Sequence, residues 1–201
     1  MLAATAIFSA ADMATTDFID WEQLAFNNPT PLVVFSNLGV PATVDSTGGN
    51  VSRSVQGPGP FGNFTPGDFL IRMEPLPNLT IQFASPVAGV GTQWATNFAG
   101  PFGARLTAFD SADMLVGSVT RDGLAGGGAD GSAIFLGLRS SSVNISRVLF
   151  TIDFSTLPND IFFVNRVLLT STPIPEPATW AMLIAGFGMI GCAARRRPAV
   201  A

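Results

Sequence analysis

Carboxylates are the only acid–base groups this chain can bring to a folded body. Histidine, lysine and tyrosine are absent, and the single cysteine, Cys192, lies inside a C-terminal apolar run. Without histidine there is no Ser-His-Asp or Cys-His catalysis and none of the commonest zinc ligand. Without lysine there is no Schiff-base chemistry and no P-loop; Gly123–Gly131, GLAGGGADG, reads as a loop between strands. Glycoside hydrolysis needs two carboxylates facing across a cleft. The candidates are Asp17, Asp20, Glu22, Asp68, Glu74, Asp110, Asp113, Asp122, Asp130, Asp153 and Asp160, most of them at strand ends or in turns, where Asp has ordinary structural uses. The same hard oxygens could hold a structural Ca²⁺, for example Asp110 and Asp113 with main-chain carbonyls, although no full metal-ligand set is defined. No other cofactor is implied.

Aromatic side chains offer a second chemistry, stacking on sugar rings. Trp21, Trp94, Phe61, Phe64 and Phe102 could form such a platform, although aromatic residues in a β-sandwich more often fill the core. Phe61 and Phe64 stand in GPGPFGNFTPGD, too rich in Gly and Pro for a strand, so an exposed loop is expected there.

These groups need a scaffold, and composition bounds it. Charged residues are 12% of the chain and mean hydropathy is +0.41, which excludes a disordered polar polymer. The 21 glycines and 15 prolines oppose long helices. Net charge is −4, and three of the ten arginines are clustered at 195–197, so the body lacks the basic footprint that nucleic acid requires. With its one cysteine in the tail, the body forms no disulfide.

Strand signals recur about every ten residues between Gly, Pro, Asn and Asp. They fall at 17–26, 32–36, 69–73, 79–84, 92–98, 104–110, 115–120, 133–138, 143–154 and 161–169. Asp110-Ser111-Ala112-Asp113 reads as a hairpin turn, and Val148, Phe150, Ile152 and Phe154 alternate as a core face. The expectation is an all-β domain over 12–172, a β-sandwich of jelly-roll type rather than a barrel, followed by a C-terminal transmembrane helix.

Both ends read as targeting segments. Residues 1–11, MLAATAIFSAA, resemble the end of a secretory signal, with small residues placing cleavage after Ala11, but the basic n-region is missing. A first strand is the other reading, and the alanines make a poor one. At the opposite end, residues 178–194 carry no charge over 17 residues, which as a helix would span about 25 Å. Trp180 suits the headgroup layer and Arg195, Arg196 and Arg197 suit the cytoplasmic side. Pro173, Pro175 and Pro177 make an extended lead-in, so residues 173–201 form a unit of their own. Ala181, Ala185, Gly188 and Cys192 form a small-residue stripe of the kind that lets another membrane helix approach, although small residues are common throughout this segment.

Pro175-Glu176-Pro177, Trp180-Ala181, a glycine-bearing apolar stretch and a terminal arginine cluster resemble a PEP-CTERM sorting signal of the PEPxxWA variety. The resemblance covers about an eighth of the chain. It implies a Gram-negative protein whose tail is recognised by an exosortase, an integral membrane cysteine protease. Pro175, Glu176, Pro177 and Trp180 would carry the motif and Arg195 to Arg197 the membrane stop. Such a protein passes transiently through the inner membrane on its way to the cell surface or extracellular matrix.

Within the body, FIDWEQL, a Gly-rich middle, LTAFDSADMLVGSVT, ISRVLFTID and IFFVNRVLL resemble galactose-binding-like jelly rolls, whose relatives often bind sugars. The implied function is a non-catalytic surface or matrix protein associated with exopolysaccharide. The alternative is a secreted carbohydrate-active enzyme using paired carboxylates.

Overall fold

The computed structural model describes residues 4–58, 62–73, 78–126, 128–156 and 160–171. The expected membrane helix, the PEP motif and the arginine stop therefore lie outside the described residues, as do Phe61 and Glu74. Among the described residues, no helix is long and apolar enough to cross a membrane.

Those residues form a two-sheet all-β sandwich with only short 3-10 turns. The larger sheet runs β1 (Thr5–Ile7), β12 (Ile134–Arg139), β9 (Gly89–Thr96), β14 (Phe162–Val164), β7 (Phe69–Met73), β6 (Asn50–Val55) and β3 (Asn27–Pro29). Beside β9 it also carries β15 (Val167–Thr170), which pairs in turn with β2 (Asp17–Ile19). The smaller sheet runs β11 (Leu115–Ala125), β10 (Gly100–Phe109), β13 (Ile145–Phe154), β8 (Leu79–Val87), β5 (Pro41–Ser46) and β4 (Leu32–Phe35).

Alternation explains how the sheets pack. In β9, Val90 and Trp94 face inward, while Gly91, Gln93 and Ala95 face out. Trp94 sits between Phe150 of the opposite sheet, 5.0 Å away between centroids, and Phe162, stacked at 6.1 Å. The outer face of the larger sheet carries two small apolar clusters of its own. One gathers Phe64, Leu70, Ala95, Ala133 and Phe163; the other gathers Ile7, Met13 and Phe135 with Leu168 against them.

The second cluster takes in the N-terminal segment, through Ile7 and Met13. Thr5–Ile7 is an edge strand paired with β12, and Ala11, the expected cleavage residue, lies exposed in the turn Ala10–Met13. The alanines that made this segment look like a poor strand are what let it fit: a Cβ built on Gly117 would come within 2.8 Å of the Ala4 Cβ.

Other differences are local. The expected strand 17–26 breaks after Ile19, because Asp20 caps a 3-10 turn over Trp21–Gln23 by accepting from the Glu22 N–H at 2.9 Å. The loop expected over Gly123–Gly131 begins later, since β11 runs on to Ala125.

Candidate functional site

A chain break inside the larger sheet builds the site. β14 and β15 lie end to end along the same edge of β9: Val164 pairs with Trp94 and Leu168 with Gly91. Three residues (165–167) therefore face two (92–93), which is a β-bulge. Such a bulge re-aims side chains out of the ladder, here those of Asn165 and Arg166.

The bulge is held from within the sandwich. Its carbonyls accept from the Thr92 hydroxyl, at 2.8 Å for Asn165 and 2.9 Å for Arg166, and the indole Nε1 of Trp21 donates to the Asn165 carbonyl at 2.9 Å. The Asn165 side chain then reaches across the outer face. Its Nδ2 donates to Asp68 Oδ2 at 2.8 Å and to Gln93 Oε1 at 3.1 Å. Asp68 Oδ2 also accepts from the Thr65 N–H at 3.1 Å. The Gln93 amide nitrogen is only weakly engaged, 3.4 Å from each of the Gly131 and Ala133 carbonyls.

These groups floor a hollow of about 240 Å³, lined by Asp68, Gln93, Asn165, Arg166, Thr65 and Ala10 with Phe135 and Leu168 as apolar wall. It lies between the two outer apolar clusters, which set its rims. Across β15, Leu168 pairs with Phe18, whose ring lies 4.6 Å from the Arg166 guanidinium carbon. Arg166 Nε donates to Asp20 Oδ2 at 3.0 Å. Arg166 thus separates the hollow from a shallower groove of about 430 Å³ lined by Phe18, Asp20, Glu22, Gln23, Phe35, Ser36 and Asn37. Phe35 is 53% exposed, so its ring face is open to a ligand.

The core, which the sequence favours over a sugar-stacking platform for these aromatics, takes every described one of them. Trp21, Trp94, Phe64 and Phe102 are each 1% exposed or less, so they are core. Phe64 lies in a Gly- and Pro-rich loop, but the loop folds back and seats its ring 6.5 Å from Phe163 on the outer face of the sheet. Area explains the outcome: burying a phenylalanine contributes roughly 1.5–3 kcal/mol, which a short loop can supply without becoming a strand.

Of the expected carboxylates, Asp20, Glu22 and Asp68 line the two depressions. The others have structural partners or stand alone. Asp17 accepts from the Phe18 and Leu38 N–H groups, Asp160 from Phe98 and Ile161, and Asp153 pairs with Arg105 at 2.8 Å. Asp122 is exposed on β11. Asp130 accepts from the Ser132 hydroxyl and N–H, which hold its carboxyl below the ordinary value of 3.8. Asp110 accepts from the Ala112 and Met114 N–H groups, as a turn residue does, and Asp113 pairs with Arg147 at 2.9 Å. Among the described residues, no three His, Cys, Asp or Glu side chains gather as a metal site.

Sequence reading missed Gln93, Phe135, Asn165 and Arg166. One signal was available: Asn165-Arg166 interrupts the apolar run from Ile161 to Leu169, which an unbroken buried strand would not do.

Fold and site together define a two-sheet β-sandwich with an open, polar-floored and partly aromatic-walled recess. Residues 173–197 match the family model of the PEP-CTERM protein-sorting motif, so the chain carries that motif and is an exported protein sorted through its C-terminus. No curated protein matches the chain by sequence. Among solved structures it is similar to a DUF4465 family protein from Bacteroides caccae, at 11% identity and TM-score 0.43, covering 83% of this chain and all of that one. It is also similar to TmCBM61 in complex with β-1,4-galactotriose, at 14% identity and TM-score 0.38, covering 65% and 88%. A third likeness is to the family 29 carbohydrate-binding module CBM29-2, at 12% identity and TM-score 0.36, covering 87% and 98%.

Proposed function

We propose that this is a non-catalytic surface or matrix protein, processed by an exosortase at its tail, whose sandwich binds a neutral polysaccharide at the recess around Asn165. The observation that carries the reading is the convergence of Asp68, Gln93 and Asn165 on one floor beside the Phe135 and Leu168 wall. Sugars present hydroxyls on their edges and C–H groups on their faces, so a recognising site needs short polar side chains and an apolar wall together. The weakly engaged Gln93 amide supplies donors, and Asp68 supplies a carboxylate acceptor. The adjoining groove, with Phe18 and Phe35, gives room for further residues of a chain. We read the sandwich as a jelly roll of the galactose-binding-like kind, with transit through the inner membrane preceding release. The binding reading calls on no cofactor, and the Ca²⁺ expected at Asp110 and Asp113 has no part in it.

Asp20 and Glu22 share one groove, which is the observation favouring the enzyme alternative. Asp20, however, is engaged on both oxygens, by the Glu22 N–H and by Arg166. With both oxygens committed to these partners, Asp20 offers no free oxygen within hydrogen-bond reach of a glycosidic bond.

The test is a glycan array and calorimetry on the full chain with the Gln93→Ala and Phe35→Ala variants. The expected result is retention of neutral glycans, weakened at least tenfold by Gln93→Ala. Retention of no glycan overturns the reading. Hydrolysis of a bound glycan that Asp20→Asn abolishes would put the enzyme in its place.

A further inference from the structure

The chain leaves its folded body at one end of the sandwich, and strand register fixes which loops share that end. Thr170, the last residue of β15, pairs with Gly89 at the start of β9, and Gly89 pairs with Arg139 at the end of β12. Main-chain bonds of 2.7 Å tie Ala88 to Thr170 and Ser140 to Ala88. In the smaller sheet, Val87 pairs with Ile145 and Arg147 with Phe109, which brings turns 140–144 and 110–114 to this end. Phe83 pairs with Ala42 and Phe35 with Pro41, which brings loop 36–40 there as well.

These loops carry an unusual load of exposed apolar side chains. Leu38 is 65% exposed, Met114 58%, Leu115 51%, Val143 40% and Val40 37%. Of the charged groups at this end, Arg147 pairs with Asp113, and Asp17 and Asp110 each accept two main-chain N–H bonds.

The tether is short. Seven Cα steps separate Ser171, whose N–H donates to the Thr16 hydroxyl at 2.8 Å, from Ala178, where the apolar run begins. Whatever its conformation, that segment reaches at most about 25 Å. The polar headgroup layer takes up several ångströms of this reach. A body of this size is about 40 Å across, so the tether cannot invert it to face the bilayer with its far end. Exposed apolar residues at that end, such as Phe98, Leu124 and Phe154, are thereby kept from docking end-on.

We propose that, before processing, the Leu38–Val143 end of the sandwich docks on the lipid surface, with Leu38, Val40, Met114 and Val143 in the headgroup region. Tethering raises the effective concentration of this end at the membrane, so weak apolar contacts suffice. Docking keeps the body at the surface, where a membrane protease works, and cutting the tether releases it. The proposal rests on the reading of residues 178–194 as a membrane helix.

The experiment uses the full chain in a Cys192→Ser background, reconstituted into phosphatidylcholine–phosphatidylethanolamine vesicles carrying a headgroup-nitroxide lipid. Leu38→Cys, Val143→Cys and, in the β5–β6 turn at the opposite end, Gly48→Cys variants each carry one fluorophore. Quenching at 38 and 143 should exceed that at 48 at least twofold. Chains that float with the vesicles yet are quenched equally at all three positions overturn the docking alone. Chains that do not float overturn the membrane-helix reading and the docking with it.

Discussion

The indole of Trp21 donates its N–H to the main-chain carbonyl of Asn165 across 2.9 Å, joining a turn near the N-terminus to a bulge 144 residues later. The ring is fully buried, but its polar edge props the residue that organises the recess floor. Trp21→Phe keeps most of the buried area and removes this bond. Losing one buried hydrogen bond and some volume should cost about 1–3 kcal/mol in chemical denaturation. Glycan affinity should fall as well, although residue 21 touches no ligand. An unchanged affinity would show that the bulge holds its shape without the indole.

Gln23 protects a sheet edge. Its Nε2 donates to the Phe35 carbonyl at 2.9 Å and its Oε1 accepts from the Phe35 N–H at 2.8 Å, so the amide acts as one residue of a missing strand beside β4. Uncovered edges template association with other chains. Gln23→Ala should cost about 1 kcal/mol of stability and promote self-association, read as a concentration-dependent shift in sedimentation. A strictly monomeric variant would mean that other features guard this edge.

Gly91 sets the depth of the recess. A Cβ there would lie 2.7 Å from Phe135 Cζ and 3.0 Å from the Gly137 Cα across the ladder. The ring can shift, but the neighbouring backbone cannot without bending the sheet. Gly91→Ala should destabilise by about 1–3 kcal/mol and push Phe135 toward the hollow. Ligand affinity and melting temperature should therefore fall together.

Much of the architecture was legible, for a plain reason. Where a strand has one apolar face, period-two alternation marks it: Val148 and Phe150 of β13 are buried as expected. The hairpin at Asp110–Asp113 is likewise as read, because Asp110 accepts from the N–H groups that its turn leaves free. The strands Pro41–Ser46 and Asn50–Val55 were missed because their outward residues are small and polar, which reads as loop. The recess was illegible for a different reason. Asp68, Gln93, Phe135 and Asn165 come from separate segments and meet only through pairing register. Of the two loop aromatics that looked most functional, Phe64 is buried, because its loop folds back and packs the ring on the sheet's outer face.

Asp130 gives an acid-dependent prediction. The Ser132 hydroxyl donates to its Oδ1 at 2.6 Å and the Ser132 N–H at 3.0 Å, which stabilises the ionised form and lowers its pKa below 3.8. A depressed carboxylate contributes order that is fully present above its unfolded value and is lost as pH falls through the folded one. The Ser132 amide resonance should therefore hold its position until the pH drops below 3.8 and then shift. In Asp130→Asn that late acid step should be missing. A wild-type midpoint at or above the ordinary value would show that the pair does not hold in solution.

Processing at the tail can be read directly from the mature protein. The last described residue, Ser171, is bonded into the sandwich, and Pro175-Glu176-Pro177 follows within six positions. A cut at the motif therefore leaves the fold whole while removing the entire apolar run. Mass spectrometry of the protein isolated from its own host should find a C-terminus near Pro175–Pro177. On the reading that Arg195, Arg196 and Arg197 fix the segment's cytoplasmic end, replacing them by glutamine should reduce the processed fraction. A mature chain still ending at Ala201 would make residues 178–194 a permanent anchor, and the sandwich would then be a membrane-bound protein instead of a released one.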